Sequence, residues 1–177
     1  MSLYAEKNQL VALPEFEAMT KNEQLNYELI DGVVLMSPRP SLEHQNVSGN
    51  LYFELRQQLK EADCKPILEV DLVLANDSLV PDLMIICDQE LQGKRYEKPP
   101  LIVMEIISPT SASRDHIIKH RKYEELGIKE YWIIDPKVKI VTVHDFVHET
   151  AETYGLGEVI HSLALPEIVI AVADIFA

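Results

Sequence analysis

Glycine is scarce in this chain, six residues in 177, and nowhere do the glycines gather into a phosphate-cradling loop, which excludes the P-loop and dinucleotide-binding classes. An HExxH helix and a nucleophile elbow are also missing, which argues against zincin proteases and serine hydrolases. There are two cysteines, Cys64 and Cys87, without metal-ligand spacing. They imply no disulfide framework, and Cys87, ending a hydrophobic run, is expected to be an ordinary buried thiol. No apolar run approaches the roughly 20 residues that cross a bilayer, and no basic stretch followed by an apolar core opens the chain. A cytoplasmic protein without membrane attachment is expected. Positive charge is short as well: 16 Lys and Arg against 29 Asp and Glu leave a net charge of -13. Diffuse attraction to nucleic acid or anionic lipid is thereby disfavoured, so any phosphate-binding surface must be local.

The hydrophobic content, 47%, suits one domain covering residues 1–177 with a sizeable core, and there are no repeats, low-complexity tracts or linkers. The basic residues do cluster, in Lys94-Arg95 with Lys98 and from Arg114 to Lys122. A solvated face is the ordinary explanation of such runs.

Leu13 to Met19 suits a short helix with Pro14 in its first turn. Tyr27 to Ile30, then Asp31-Gly32, then Val33 to Met36 predicts a β-hairpin whose turn takes positive φ, with Glu28 in its first strand. Pro38 and Pro40 stop the sheet pattern, and Ser41 can cap a helix running to about Glu61. On that helix Val47, Leu51, Leu55 and Leu59 form an apolar stripe, continued one turn back by His44, which is either a structural histidine or one aimed into a site. From Pro66 to Ala75 the residues alternate as in one half-buried strand, placing Glu69 and Asp71 on a common face before a turn at Asn76 to Ser78. Asp88 to Pro100 is a polar loop able to close over a substrate. Ser111 or Ser113 caps a further helix that Gly127 ends, with Asp115, Lys119 and Tyr123 on one face. Glu130 to Asp135 and Lys139 to Phe146 are strands, short β segments follow through Ile160, and the C-terminal apolar stretches dock on the body. The expected class is α/β or α+β, with a central mixed β-sheet flanked by helices.

The chemistry concentrates between Val80 and Lys119. Val80-Pro81-Asp82-Leu83-Met84-Ile85-Ile86 and Leu101-Ile102-Val103-Met104-Glu105-Ile106-Ile107 each set one carboxylate in a strongly apolar run. Such an acid is costly to bury unless protonated, paired or bound to a cation, so the two suggest a Mg²⁺ site, with Mn²⁺ as substitute. Glu69 is a candidate outer ligand. Blander roles stay open: Asp115 and Lys119 as a surface ion pair, Asp82 as a turn cap. His116 and His120, lacking the zincin glutamate between them, read as surface residues.

Pro81-Asp82 followed by Glu105-Ile106-Ile107 resembles the PD-(D/E)XK nuclease motif. The wider set is similar to the Uma-two family of restriction-endonuclease-like proteins: Tyr27 to Gly32, Met36-Ser37-Pro38, Glu105 to Pro109, Asp115 with Lys119 and Tyr123, Gly127, Glu130-Tyr131-Trp132 and Asp135-Pro136. The resemblance implies a restriction-endonuclease-like core extended by hairpins, and a Mg²⁺ site of Asp82, Glu105 and the backbone carbonyl of Ile106, with Glu28 as the early acidic residue. Ile107 stands where the motif carries its lysine, and the matching donor is Lys119 on the following helix. The implied activity is Mg²⁺-dependent endonucleolytic hydrolysis of DNA with Asp82, Glu105, Lys119 and Glu28 as the working set, as a homodimer joining two basic patches. The alternative is a catalytically inactive binding or regulatory protein on the same fold.

Overall fold

A computed structural model describes residues 10–21, 26–37, 39–88, 92–107 and 113–177, with side chains at all of these except 26, 37 and 113–116. Helix α1 (Leu13–Thr20) carries its proline in the first turn and buries Phe16. Strands β1 (Asn26–Ile30) and β2 (Val33–Ser37) pair antiparallel, and the turn between them places Asp31 at φ 51° and Gly32 at φ 77°. These two positive angles are what a two-residue hairpin turn requires, and Asp-Gly supplies them. In helix α2 (Leu42–Gln58) the Ser41 hydroxyl accepts from the His44 backbone N–H, and Val47, Leu51 and Leu55 are buried. The helix stops short of the expected Glu61, although Leu59 is still buried with the stripe.

The stretch expected as one strand from Pro66 to Ala75 is two strands belonging to two different sheets. β3 (Lys65–Leu68) pairs with β6 (Leu83–Ile86), whereas β4 (Asp71–Leu74) pairs with β5 (Asp77–Leu79). Glu69, at φ 45°, turns the chain between them, so Glu69 and Asp71 are not neighbours on one pleated face. The expected turn at Asn76 to Ser78 is likewise tighter: Ala75 and Asn76 form it, with Ala75 at φ 54°, and Asp77 and Ser78 already lie in β5. After β6 come β7 (Arg95–Tyr96), β8 (Ile102–Ile106), α3 (Ser113–Glu125), β9 (Glu130–Asp135), β10 (Ile140–Asp145), β11 (Thr150–Tyr154), β12 (Val159–His161), β13 (Val169–Ala171) and α4 (Val172–Ile175). Gly127, at φ 82°, closes α3, and the Ile128 N–H returns to the Tyr123 carbonyl.

The six-stranded sheet runs β11-β10-β9-β8-β6-β3, the five-stranded sheet β2-β1-β5-β4-β7, and β12 pairs with β13. Within the larger sheet β8 and β9 are parallel and the other pairs antiparallel, which makes it mixed. One face of it packs on α2 and α4 through Leu51, Leu55, Leu83, Ile85, Met104, Trp132 and Ile175. The other face packs on the smaller sheet and α3: Met84, Val103 and Tyr131 meet Ile30, Leu72, Leu79 and Tyr123. β6 and β8 are therefore covered on both faces, which explains their unbroken apolar runs. The restriction-endonuclease-like expectation of a mixed sheet flanked by helices and extended by hairpins describes this architecture.

The two cysteines depart from expectation. Cys64 and Cys87 extend the β3–β6 ladder by one pair beyond Lys65 and Ile86, with Cα atoms 3.9 Å apart, and they are joined as a disulfide. Cys87 is exposed and Cys64 buried, so Cys87 is not the buried free thiol anticipated. Spacing along the chain holds no trace of this pairing; strand register creates it. Constraining the unfolded chain over a sequence separation of 23 is worth about 3 kcal/mol. Cys64→Ser, or a reducing agent added to the oxidised protein, is expected to lower the thermal midpoint by roughly 6–12 °C in calorimetry; an unchanged midpoint would contradict the pairing.

Candidate functional site

Leu83 pairs with Met104 across the β6–β8 ladder, so one step further Asp82, at the entrance to β6, comes opposite Glu105 near the end of β8. The sheet register brings the two acids together. The Ile106 N–H donates to Asp82 Oδ2 at 2.7 Å, so Asp82 caps no local turn; its carboxylate reaches across to the neighbouring strand. Glu105 is 5% exposed. From α3, Lys119 enters between Glu105 and Glu28, with Nζ 3.0 Å from Glu105 Oε1 and 2.9 Å from Glu28 Oε1. One helical turn on, the Tyr123 hydroxyl donates to Glu105 Oε1 at 2.6 Å. Glu28 reaches the cluster because residues alternate along β1, and the Val80 N–H also donates to its Oε1, at 2.8 Å. The remaining oxygens, Asp82 Oδ1 and Glu105 Oε2, accept no hydrogen bond from the described residues.

His44 lies at the start of α2 with Nε2 3.2 Å from Asp82 Oδ2, while its buried Nδ1 has no hydrogen-bond partner among the described residues. Glu69 stands beside Asp82 through the backbone, its N–H donating to the Asp82 carbonyl at 3.3 Å, but its side chain is exposed and turned to Gln45. The Asp115 side chain lies outside the described residues, as do those of Ser113, Arg114 and His116. Lys119 is no surface residue: it is buried, and Glu28 and Glu105 are its partners.

Burial pushes the Glu105 carboxyl up to about 7; Asp82 and Glu28 act in the same direction, while the Lys119 ammonium and the Tyr123 hydroxyl oppose it. Burial pulls Lys119 down, but Glu105 and Glu28 more than offset it, so the ammonium is held well above its ordinary value. For His44 burial is likewise outweighed, by the hydrogen bond and charge of Asp82 and then by Glu69 and Glu105, and its value is raised. Two carboxylates thus share one lysine, and the third, Asp82, is held by His44 and the Ile106 N–H. Among the described residues no group of three or more His, Cys, Asp or Glu is arranged to hold a metal ion. The two spare oxygens are nonetheless hard ligands, and a Mg²⁺ ion held mainly by water needs only one or two protein carboxylates.

The basic clusters read from sequence are largely used internally. Lys122 is buried and pairs with Asp31, with Asp77 at 3.2 Å and with Glu125 at 3.3 Å; Arg121 also reaches Asp31. Asp77 Oδ1 in turn accepts from the Asp31 N–H at 2.7 Å. This second cluster, missed from sequence, ties α3 to the β1–β2 turn and β5, and so fixes Lys119 against Glu28. Arg95 pairs with Glu17 and Glu97, and Lys98 with Asp88. His120, expected at the surface, is half-buried, with Nε2 3.1 Å from His144 Nδ1 and its ring against Phe146.

The raised Glu105 carboxyl carries a pH signature. The folded state keeps this proton up to about pH 7, while an unfolded glutamate releases it near 4.5. Between those values the native state binds more protons, so its stability falls as pH rises and recovers as pH is lowered. In the absence of divalent ions, urea titrations from pH 4.5 to 7 are expected to show this decline, and Glu105→Gln is expected to flatten it; an equal slope in both proteins would assign the effect elsewhere.

The model of the Uma2 family, described as "Putative restriction endonuclease", matches residues 13–173. The fold is shared with the crystal structure of a "putative nuclease belonging to DUF820" from Anabaena variabilis ATCC 29413, at a TM-score of 0.83 over 94% of this chain and 97% of that one. Sequence identity between the two is 18%, so this likeness concerns the fold. No protein of curated function is detectably similar in sequence. With the family match running from α1 to α4, the chain belongs to the Uma2 family of restriction-endonuclease-like proteins.

Proposed function

We propose that the protein is a divalent-metal-dependent endonuclease that hydrolyses DNA phosphodiester bonds, acting as a single unit over residues 1–177. The observation that carries this reading is the Lys119 ammonium held between Glu28 and Glu105: it stands beside the acid pair although Ile107 occupies the lysine position of the nuclease motif. Asp82, Glu105 and the backbone carbonyl of Ile106 would hold Mg²⁺, or Mn²⁺ in its place. A bound divalent ion supplies charge stabilisation at the phosphate and a more acidic water.

The protein's own groups then divide the work. His44 and the Ile106 N–H both hold Asp82 Oδ2, which leaves Oδ1 free to turn outward. Glu28 anchors Lys119 and is itself fixed by the Val80 N–H. Of the three donors of Lys119, two are taken by Glu28 and Glu105, and the third is left for the attacking water or a phosphate oxygen. Tyr123 steadies Glu105 through its hydroxyl. Glu69 belongs to the rim of the site, its N–H on the Asp82 carbonyl and its side chain turned to Gln45. Access is from the Asp82 side, where that side chain is 19% exposed against 7% for Glu105 and 3% for Glu28. With Arg95, Lys98, Arg121 and Lys122 engaged by acids, the two basic clusters have few side chains left for phosphate, and a homodimer would supply a second set.

Those engaged basic side chains also favour a second reading, a binding or regulatory protein on the nuclease fold without catalysis. Calorimetry with Mg²⁺ separates the two, since a site that takes no metal at millimolar concentration supports the second. On the nuclease reading, Asp82→Asn and Glu105→Gln each abolish Mg²⁺ binding and lower plasmid cleavage on the order of a hundredfold or more. Lys119→Met keeps metal binding while losing about 10²–10³ in rate. A mock purification from cells lacking the protein controls for contaminating nuclease; cleavage above that level that survives both acid substitutions overturns the assignment.

A further inference from the structure

A cavity of about 310 Å³ lies between α1 and the smaller sheet, at the low end of the ~300–1,000 Å³ of small-molecule sites. Tyr27 and Val80 line it, and each adjoins the acid cluster: Tyr27 precedes Glu28 on β1, and the Val80 N–H donates to Glu28 Oε1 at 2.8 Å. Side chains alternate along a strand, so Glu28 turns toward the larger sheet and Tyr27 to the opposite face, under α1. Leu72 of β4 pairs with Leu79 of β5, which brings Asp71 level with Val80 at the same end of the sheet. Cavity and acid cluster are therefore back to back. The segment Val80-Pro81-Asp82 is the rim between them.

The lining is chemically uneven. Tyr27, Val73 and Val80 form a half-buried wall of one aromatic and two aliphatic side chains, with Ser78 between the strands behind them. Of the two cations, Arg95 is already neutralised, 2.7 Å from Glu17 on α1 and 2.7 Å from Glu97. Lys21, at the C-terminal end of α1, is exposed and pairs with no acid among the described residues. Asp71 is exposed as well, and burial of its carboxyl raises it against the pull of Arg95. The interior is thus largely apolar on one side, while an unpartnered ammonium stands where the cavity opens to solvent. A flat ring that carries a phosphate matches both: aromatic side chains stack on any base, and a lysine serves as a point charge for phosphate.

We propose that the cavity beneath α1 is a nucleotide-binding site, with the base against Tyr27, Val73 and Val80 and the phosphate on Lys21. Two sources supply this chemistry, a free mononucleotide and a nucleotide of a strand whose scissile phosphate lies across the rim at Asp82. Only the second rests on the nuclease reading.

The test is equilibrium dialysis of the whole chain against thymidine monophosphate and deoxyguanosine monophosphate, with EDTA present so that no metal draws phosphate to the acid pair. Binding at submillimolar concentration is expected. Lys21→Ala, at an exposed position, is expected to weaken it about tenfold, the loss of one hydrogen bond to a charged group. Val73→Phe is expected to abolish it by filling the cavity, with far-ultraviolet circular dichroism reporting that this variant is folded. No binding at millimolar concentration overturns the assignment, as does inorganic phosphate bound as tightly as the nucleotides, or wild-type affinity in Lys21→Ala. A dinucleotide held about tenfold more tightly than its mononucleotide identifies a strand as the occupant, and equal affinity identifies the free nucleotide; both uphold the site. Nucleotide binding that Lys21→Ala weakens, in a protein without Mg²⁺-dependent cleavage, removes the nuclease reading and leaves the cavity assigned; cleavage without nucleotide binding does the reverse.

Discussion

The contact on which the arrangement depends is the buried ammonium of Lys119 between Glu28 and Glu105. It joins β1 of the smaller sheet to two consecutive elements far along the chain, β8 of the larger sheet and α3. Each acid alone would be an uncompensated charge in the interior, and removing one member of such a buried pair costs about 3–5 kcal/mol. The shared lysine lets both sheets bring a carboxylate to their common boundary. Hydrophobic contact between Ile30, Leu79, Met84 and Val103 supplies the attraction between the sheets, but it does not fix their relative position to within a hydrogen bond. The charged contacts do, and the Asp31–Lys122–Asp77 cluster one turn along α3 repeats the device without facing the site.

β6 and β8 supply the other half of the arrangement. Pro81 precedes the site of departure from the smaller sheet, and Leu83 begins the ladder with Met104, so Asp82 stands at the last point where the backbone is free to bend. Its Oδ2 takes the Ile106 N–H, in effect continuing the sheet ladder with a side chain in place of a carbonyl. Both acids are therefore held by strand register, which tolerates no one-residue slip without turning every side chain to the opposite face.

Much of this was legible in the chain. Two acids inside apolar runs pointed to groups with partners, although a turn cap stayed open for Asp82; Asp31-Gly32 pointed to a tight turn, and Ser41 announced α2. Lys119 and Tyr123, four apart, point to Glu105 together, as helical spacing demanded. What stayed hidden depends on choices that local pattern does not encode. Alternation from Pro66 to Ala75 gives the strand period but not the sheet, and Glu69 adopts a positive φ that no glycine signals. The Cys64–Cys87 pairing follows from the β3–β6 register, which is itself long-range. The basic runs read as a solvated face because their acidic partners, Glu17, Asp31 and Asp77, lie elsewhere in sequence.

Local charge balance also reconciles an acidic protein with a phosphate substrate. At the site, Glu28, Asp82 and Glu105 outnumber Lys119, and burial answers the excess by holding a proton on Glu105 near neutral pH. A divalent cation would take over that task, displacing the proton and restoring the full charge of the carboxylate. Neither the net charge of -13 nor the consumed basic clusters then needs to be overcome over a wide surface. Attraction for phosphate would arise within a few ångströms, from the bound ion and the remaining donor of Lys119, where the surrounding low dielectric makes each contact stronger than on an open face.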